Sequence, residues 1–256
     1  MKTKIFFITR LSMVFGIAVL MSACGAPAER QAEEAAEDVA EVVVEQAAGI
    51  HNVLTEEEKA DGWILMFDGE TSDGWRGYNR EDFPEGWVVE DGTLHCTGTG
   101  GDVIYDRKFL DFHLKMDWKI SEGGNSGIFF LAQEIDGTPI WHTAPEYQLL
   151  DNEAHPDVNP DQFAPALYDL VPPRVQNTRP AGEWNTAEIV LRSGHLAFYQ
   201  NGEEVVHVHM YDQSWEKMVD ESKFPLELFG KLIPGYIAVQ DHGDEVWFRN
   251  IKIKEY

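Results

Sequence analysis

Phe112-His113-Leu114-Lys115-Met116-Asp117-Trp118-Lys119-Ile120 alternates strictly between apolar and polar side chains. In an extended chain successive side chains point to opposite faces, so Phe112, Leu114, Met116, Trp118 and Ile120 share one face. A helix would scatter the same residues around its circumference. This segment is therefore a strand with one buried side and one wet side. Asn185 to Arg192, His195 to Gln200, Glu203 to His209, Tyr236 to Gln240 and Val246 to Ile253 read as further strands. In the last, Val246, Phe248, Asn250 and Lys252 are expected on one face and Trp247, Arg249, Ile251 and Ile253 on the other. Asn201-Gly202 supplies the left-handed dihedrals of a tight hairpin, and Asp91-Gly92 joins Trp87–Val89 to Thr93–Cys96 in the same way. Trp63 to Phe67, Ile128 to Ala132 and Glu146 to Leu150 complete the set. Short helices are expected at Thr55 to Asp61 and Asp212 to Asp220, with no long amphipathic repeat. Many short strands with glycine-rich turns predict an all-β antiparallel sandwich.

Upstream of the strands the chain changes character. Lys2, Lys4 and Arg10 precede an apolar run from Leu11 to Met21, and small residues lead into Cys24. That order is an export signal, too short in its apolar part to span a bilayer. It resembles bacterial lipoprotein signals, in which the cysteine is lipidated. Residues 1–23 are read as the signal and Cys24 as the lipidation site. Residues 24–54, rich in Ala and Glu and without aromatics, are read as an acidic flexible tether. Residues 55–256 form the domain. The expected location is the bacterial cell envelope, lipid-anchored, at the outer membrane facing the periplasm or the surface. A net charge of -25 argues against nucleic acid as a partner, since phosphates demand Lys and Arg. With Cys24 lipidated, Cys96 has no partner for a disulfide and reads as a buried structural thiol.

Several segments resemble one family in order along the chain. They are Leu65–Gly69 with Gly74-Trp75, Trp87–Gly92, Gly123–Phe129, Pro145–Asp151, Ala181–Asn185, Asn201-Gly202 and Gln240–Ile251. From about Gly62 to Tyr256 the chain resembles the 3-keto-disaccharide hydrolase domain, a concanavalin A-like or jelly-roll sandwich of exported bacterial proteins. The resemblance implies chemistry on glycosides whose sugar carries a ketone at C3, by hydrolysis or elimination. It implies the fold more firmly than the reaction.

Glu146 and Gln148 share one face of a strand, and with the resemblance they read as catalytic and substrate-binding respectively. Asp151 ends that strand and is a further binding candidate. His242, the side-chain type best suited to proton transfer near neutral pH, follows Asp241, which would orient it or accept sugar hydroxyls. Arg249 is preferred over Asn250 as a sugar-binding or carboxylate-holding group. Asn125 lies in a glycine-rich bend that lets backbone approach a ligand. Trp141 precedes Glu146 in an irregular stretch and is placed to wall a pocket. Tyr168 lies in the long segment 151–180, which holds half of the twelve prolines; such connections are uncommon unless they serve a site. No cofactor is predicted. A divalent cation is left open by His155 with Asp151, Asp157 and Asp161, although acidic solvent loop is the favoured reading of that group.

A ketone at C3 acidifies the C2 proton. The expected route is proton abstraction at C2, elimination of the C1 oxygen, then hydration, with His242 and Glu146 as opposed acid and base. Arg249 and Asn125 would hold the sugar or the enolate oxygen. A two-carboxylate glycosidase using Glu146 with Asp151 or Asp241 is the chemical rival. A non-catalytic glycan-binding envelope lipoprotein is the functional one.

Overall fold

The computed structural model describes residues 51–225 and 227–256, so the Leu20–Cys24 segment and residues 24–50 of the expected tether lie outside the described residues. Strands are β1 Trp63–Leu65, β2 Trp75–Gly77, β3 Trp87–Glu90, β4 Thr93–Thr97, β5 Val103–Phe109, β6 Phe112–Ile120 and β7 Asn125–Ala132. They continue as β8 Glu146–Leu150, β9 Asn185–Arg192, β10 His195–Gln200, β11 Glu203–His209, β12 Gly235–Val239 and β13 Glu245–Glu255. They form two antiparallel sheets, the all-β sandwich the alternation predicts. The larger runs β11-β10-β9-β6-β13-β4-β3, with β1 added along β13, and the smaller runs β2-β5-β12-β7-β8. Helix α1, Glu56–Ala60, begins in a capping box of Thr55 and Glu58. Helix α2, Gln213–Glu221, is capped by the Asp212 carboxylate. Both caps satisfy backbone amides that have no partner inside the helix.

The inner faces meet in one apolar core. Trp118, Phe112, Phe130, Tyr147, Phe198 and Phe248 are fully buried there. Cys96 is buried among them, and burial pushes its thiol up to about 12, which suits packing and not nucleophilic work. The hairpin turns take the predicted form, with φ of 50° and 82° at Asn201 and Gly202 and 48° and 70° at Asp91 and Gly92.

Three features depart from the sequence reading. β5 is not legible as a strand, because Asp106, Arg107 and Lys108 run outward in succession. Simple alternation also fails inside β13. Asn250 adopts φ 54° and shifts the register between Arg249 and Lys252, so Ile251 and Ile253 turn inward on the same side as Val246 and Phe248. A bulge of this kind inserts one residue and reverses the phase of everything after it. Packing also starts upstream of Thr55. Buried Asn52 exchanges two backbone–side chain hydrogen bonds with Asn250, at 2.7 and 2.8 Å, and donates to the Gly92 carbonyl.

Candidate active site

The outward face of the smaller sheet carries the polar residues that its alternation forces away from the core. Gln148 stands opposite Gly127, and Glu146 opposite Phe129. Val239 stands between Ile128 and Val103, and the Gln240 amide donates to the Gly127 carbonyl. Extending that register by one residue puts Asp102, Gln240, Gly127 and Gln148 on one rung across four strands. The rung has a gap at Gly127, and Glu146 leans into it. A Cβ built on Gly127 would lie 2.1 Å from Glu146 Oε1, so only glycine admits the carboxyl there.

Above this rung lies a cavity of about 300 Å³, lined by Asn125, Trp141, Glu146, Gln148, Tyr168, Lys223, Phe224, Gln240 and His242. Glu146 and His242, from distant parts of the chain, thus face one space. The side-chain oxygens of Gln148 and Gln240 are buried and without hydrogen-bond partners among the described residues. Buried acceptors are normally satisfied, so two orphans in one cavity point to ligand hydroxyls. The Glu146 carboxyl is pushed up to about 8, chiefly by burial and further by the nearby Asp102 charge, with Lys223 acting in opposition. Asp102 is pushed up to about 7, again by burial and by Asp241, against a backbone hydrogen bond from Asp241. Near neutral pH Glu146 is therefore largely protonated and able to donate.

The segment 151–180 supplies Tyr168 by folding back on β8. The Tyr168 amide donates to the Glu146 carbonyl, and Leu167 bridges to Tyr147. Lys223, just beyond α2, lies 4.3 Å from the centre of the Tyr168 ring and donates to its hydroxyl at 3.2 Å. Trp141 stands in a 3-10 turn, Ile140–His142, with 37% of its surface exposed. His242 sits at the rim in a loop pinned on either side. Asp241 accepts from the Gly101 and Gly243 amides at 2.8 and 3.0 Å, and Asp244 accepts from the Asn125 amide at 3.0 Å.

Other candidates fall outside the cavity. Asp151 is buried, and its carboxylate accepts from the Gly123 amide while His155 bonds the Gly123 carbonyl. The two side chains clamp the bend that starts β7. Asp241 holds the His242 loop through backbone amides, and among the described residues its carboxylate makes no hydrogen bond to the imidazole. Arg249 lies on the outward face of the larger sheet, bonded to Asp117 at 3.3 Å and stacked 3.9 Å from the Trp184 ring centre. Alternation tells which residues share a face, but not which of the two sheets carries the cavity. Lys223, Phe224, Gln240 and Asp102 escaped the sequence reading. The first two follow a helix with no motif around them, and Asp102 precedes the illegible β5. Among the described residues no group of three or more His, Cys, Asp or Glu is placed to hold a metal ion.

The chain matches the model of the 3-keto-alpha-glucoside-1,2-lyase-like domain over residues 62–254. It belongs to that family. A 3-keto-disaccharide hydrolase of Bacteroides thetaiotaomicron is 39% identical over 98% of this chain and 98% of its own length. A crystal structure of a candidate glycosyl hydrolase from Parabacteroides distasonis has a TM-score of 0.77 and 32% identity, covering 81% of this chain and 100% of that one. A second from the same organism has a TM-score of 0.61 and 25% identity, covering 76% and 99%. The region common to the family is the sandwich that carries the cavity.

Proposed function

We propose that this protein cleaves glycosides whose sugar carries a ketone at C3. The observation that carries the reading is the meeting of Glu146 and His242 in one sugar-sized cavity beside two unpartnered amide oxygens. The His242 imidazole takes the proton from C2, and the electron pair of that C–H bond forms the enolate of the C3 ketone. The enolate then expels the C1 oxygen, leaving a C1–C2 double bond, and the Glu146 carboxyl gives its proton to the departing oxygen. Addition of water across the double bond, oxygen to C1 and hydrogen to C2, completes net hydrolysis. Lys223 takes the part expected of Arg249, a cation for the enolate oxygen, with Asn125 as a second donor. Gln148 and Gln240 accept from sugar hydroxyls, and Trp141 and Tyr168 wall the ring.

The rival that uses two ionised carboxylates fits less well, because Asp151 and Asp241 both spend their carboxylates on backbone amides. Parallel assays on a 3-keto disaccharide and its unoxidised parent test the reading. Turnover of the first alone is expected. Equal cleavage of both would overturn the elimination route, and sugar binding with no product from either would favour a binding module. We also propose that Cys24 is lipidated and holds the protein in the cell envelope, so that Cys24→Ser moves it from the membrane to the soluble fraction. Unchanged membrane partition of that variant would refute the anchor. Among the described residues no helix is long and apolar enough to cross a membrane.

A further inference from the structure

Lys223 carries a flexible side chain where the proposed reaction needs a fixed charge. Its ammonium ends a four-carbon stem, is half exposed, and serves only if it stays beside the sugar. Tyr168 offers it a hydroxyl and a ring face. The next residue, Asp169, brings a carboxylate to the same ammonium, with Oδ2 4.0 Å from Nζ. Successive residues of an extended chain point to opposite sides, so two neighbours that meet one cation need a turn between them. Leu167 to Leu170 form that turn, closed by the Leu170 amide on the Leu167 carbonyl at 3.0 Å. Asp169 is its third residue, with φ 59°, where Gly or Asn is the usual occupant. Local backbone preference does not explain an aspartate there; a task for its carboxylate does.

That carboxylate is itself anchored. Its other oxygen, Oδ1, accepts from Gln162 Nε2 at 3.0 Å, and the Asp169 amide donates to the Asp161 carbonyl at 2.9 Å. The Gln162 carbonyl in turn accepts from Gln148 Nε2 at 3.1 Å, which leaves the Gln148 side-chain oxygen for the cavity. Asp169 does not line the cavity. We infer that Asp169 is a positioning residue for the cleavage reaction, its Oδ2 keeping the Lys223 ammonium at the cavity wall where the enolate oxygen forms. The inference rests on the part given to Lys223 in the reaction proposed above, and it adds a residue that touches neither substrate nor reacting atoms. Without the carboxylate the ammonium swings toward water for part of the time, and the enolate loses its cation to the same extent.

The test is a double-mutant cycle on a 3-keto disaccharide, built from Asp169→Asn and Lys223→Met. Asparagine suits the turn and keeps an oxygen for Gln162, so the urea midpoint of Asp169→Asn is expected to match or exceed that of the parent. Its kcat is expected to fall about fivefold with KM unchanged, the size of effect that a half-exposed ion pair carries. In the Lys223→Met background the same change is expected to cost nothing further. An equal loss in both backgrounds overturns the inference and assigns the effect to the route through Gln162 and Gln148. So does an unchanged kcat in Asp169→Asn beside a loss of about tenfold or more in Lys223→Met, an outcome that leaves the reaction standing. If Lys223→Met is as fast as the parent, the part given to Lys223 fails and takes Asp169 with it. If the parent itself turns over no 3-keto sugar, the whole reaction falls and the positioning role with it.

Discussion

The two outward sheet faces of this sandwich are made alike and used differently. Each carries polar side chains that alternation forces out of the core. On the larger sheet the charges answer one another: Glu188 binds His113 and Lys115, Lys252 binds Glu58, and Arg249 is held between Asp117 and Trp184. Lys119 has no carboxylate partner among the described residues but rests over the Trp184 and Trp247 rings. On the smaller sheet Glu146 makes no side-chain hydrogen bond among the described residues, and Gln148 and Gln240 leave oxygens unmatched. A face whose polar groups satisfy each other is finished by folding. One whose polar groups are left wanting is finished by a ligand. The difference lies in partners, which a one-dimensional pattern of polar and apolar residues does not contain.

The largest test of this contrast removes the groups left unmatched. Glu146→Gln and His242→Ala are each expected to lower kcat/KM at least a hundredfold on a 3-keto glycoside, with the circular dichroism spectrum unchanged. Retention of activity in either variant would detach that residue from the chemistry. Gly127→Ala comes next. A methyl group cannot share the space of the Glu146 carboxyl, so the carboxyl must move by an ångström or more, and a drop of about tenfold to a hundredfold is expected. Full activity in Gly127→Ala would mean that the lean of Glu146 over the rung is unimportant.

Proton uptake separates the faces in a third way. Glu146 has an ordinary value near 4.5 and a folded value of about 8. Between those limits the unfolded chain releases this proton and the folded chain keeps it, so the group lowers stability as pH rises from about 4.5 and stops doing so above about 8. Urea titrations across that range should show a shallower loss for Glu146→Gln than for the parent, with one group contributing at most about 1.4 kcal/mol per pH unit. Identical slopes would place the carboxyl in contact with water. In the parent, kcat/KM should fall above about pH 8 as the acid loses its proton. The smallest effect belongs to the finished face. Arg249→Ala should leave kcat/KM within about twofold and cost about 1 kcal/mol of stability through the lost stacking and ion pair. A hundredfold loss of activity in that variant would return Arg249 to the catalytic argument.

Much of the sandwich was legible, because β6, β9 and the Asn201-Gly202 hairpin carry a clear period and a turn that demands left-handed dihedrals. Glu146, Gln148 and His242 were legible as candidates because they break apolar surroundings or sit in a glycine-marked loop. What stayed hidden is long-range. β5 presents Asp106, Arg107 and Lys108 outward and so lost its period, and with it went Asp102. The Asn250 bulge flips two isoleucines, and nothing in their spacing announces it. Arg249 was assigned by residue chemistry alone, which does not distinguish the sheets. Lys223 comes to the cavity only because the chain after α2 crosses over Tyr168.

The mutual tie between Asn52 and Asn250 fixes where the chain enters the domain. His51 meets the Asn250 amide on the outward side of the larger sheet, behind the cleft as seen from a bound sugar. Residues 51 and 52 therefore pack on the sheet that does not carry the cavity, and they take no part in lining the approach to Glu146.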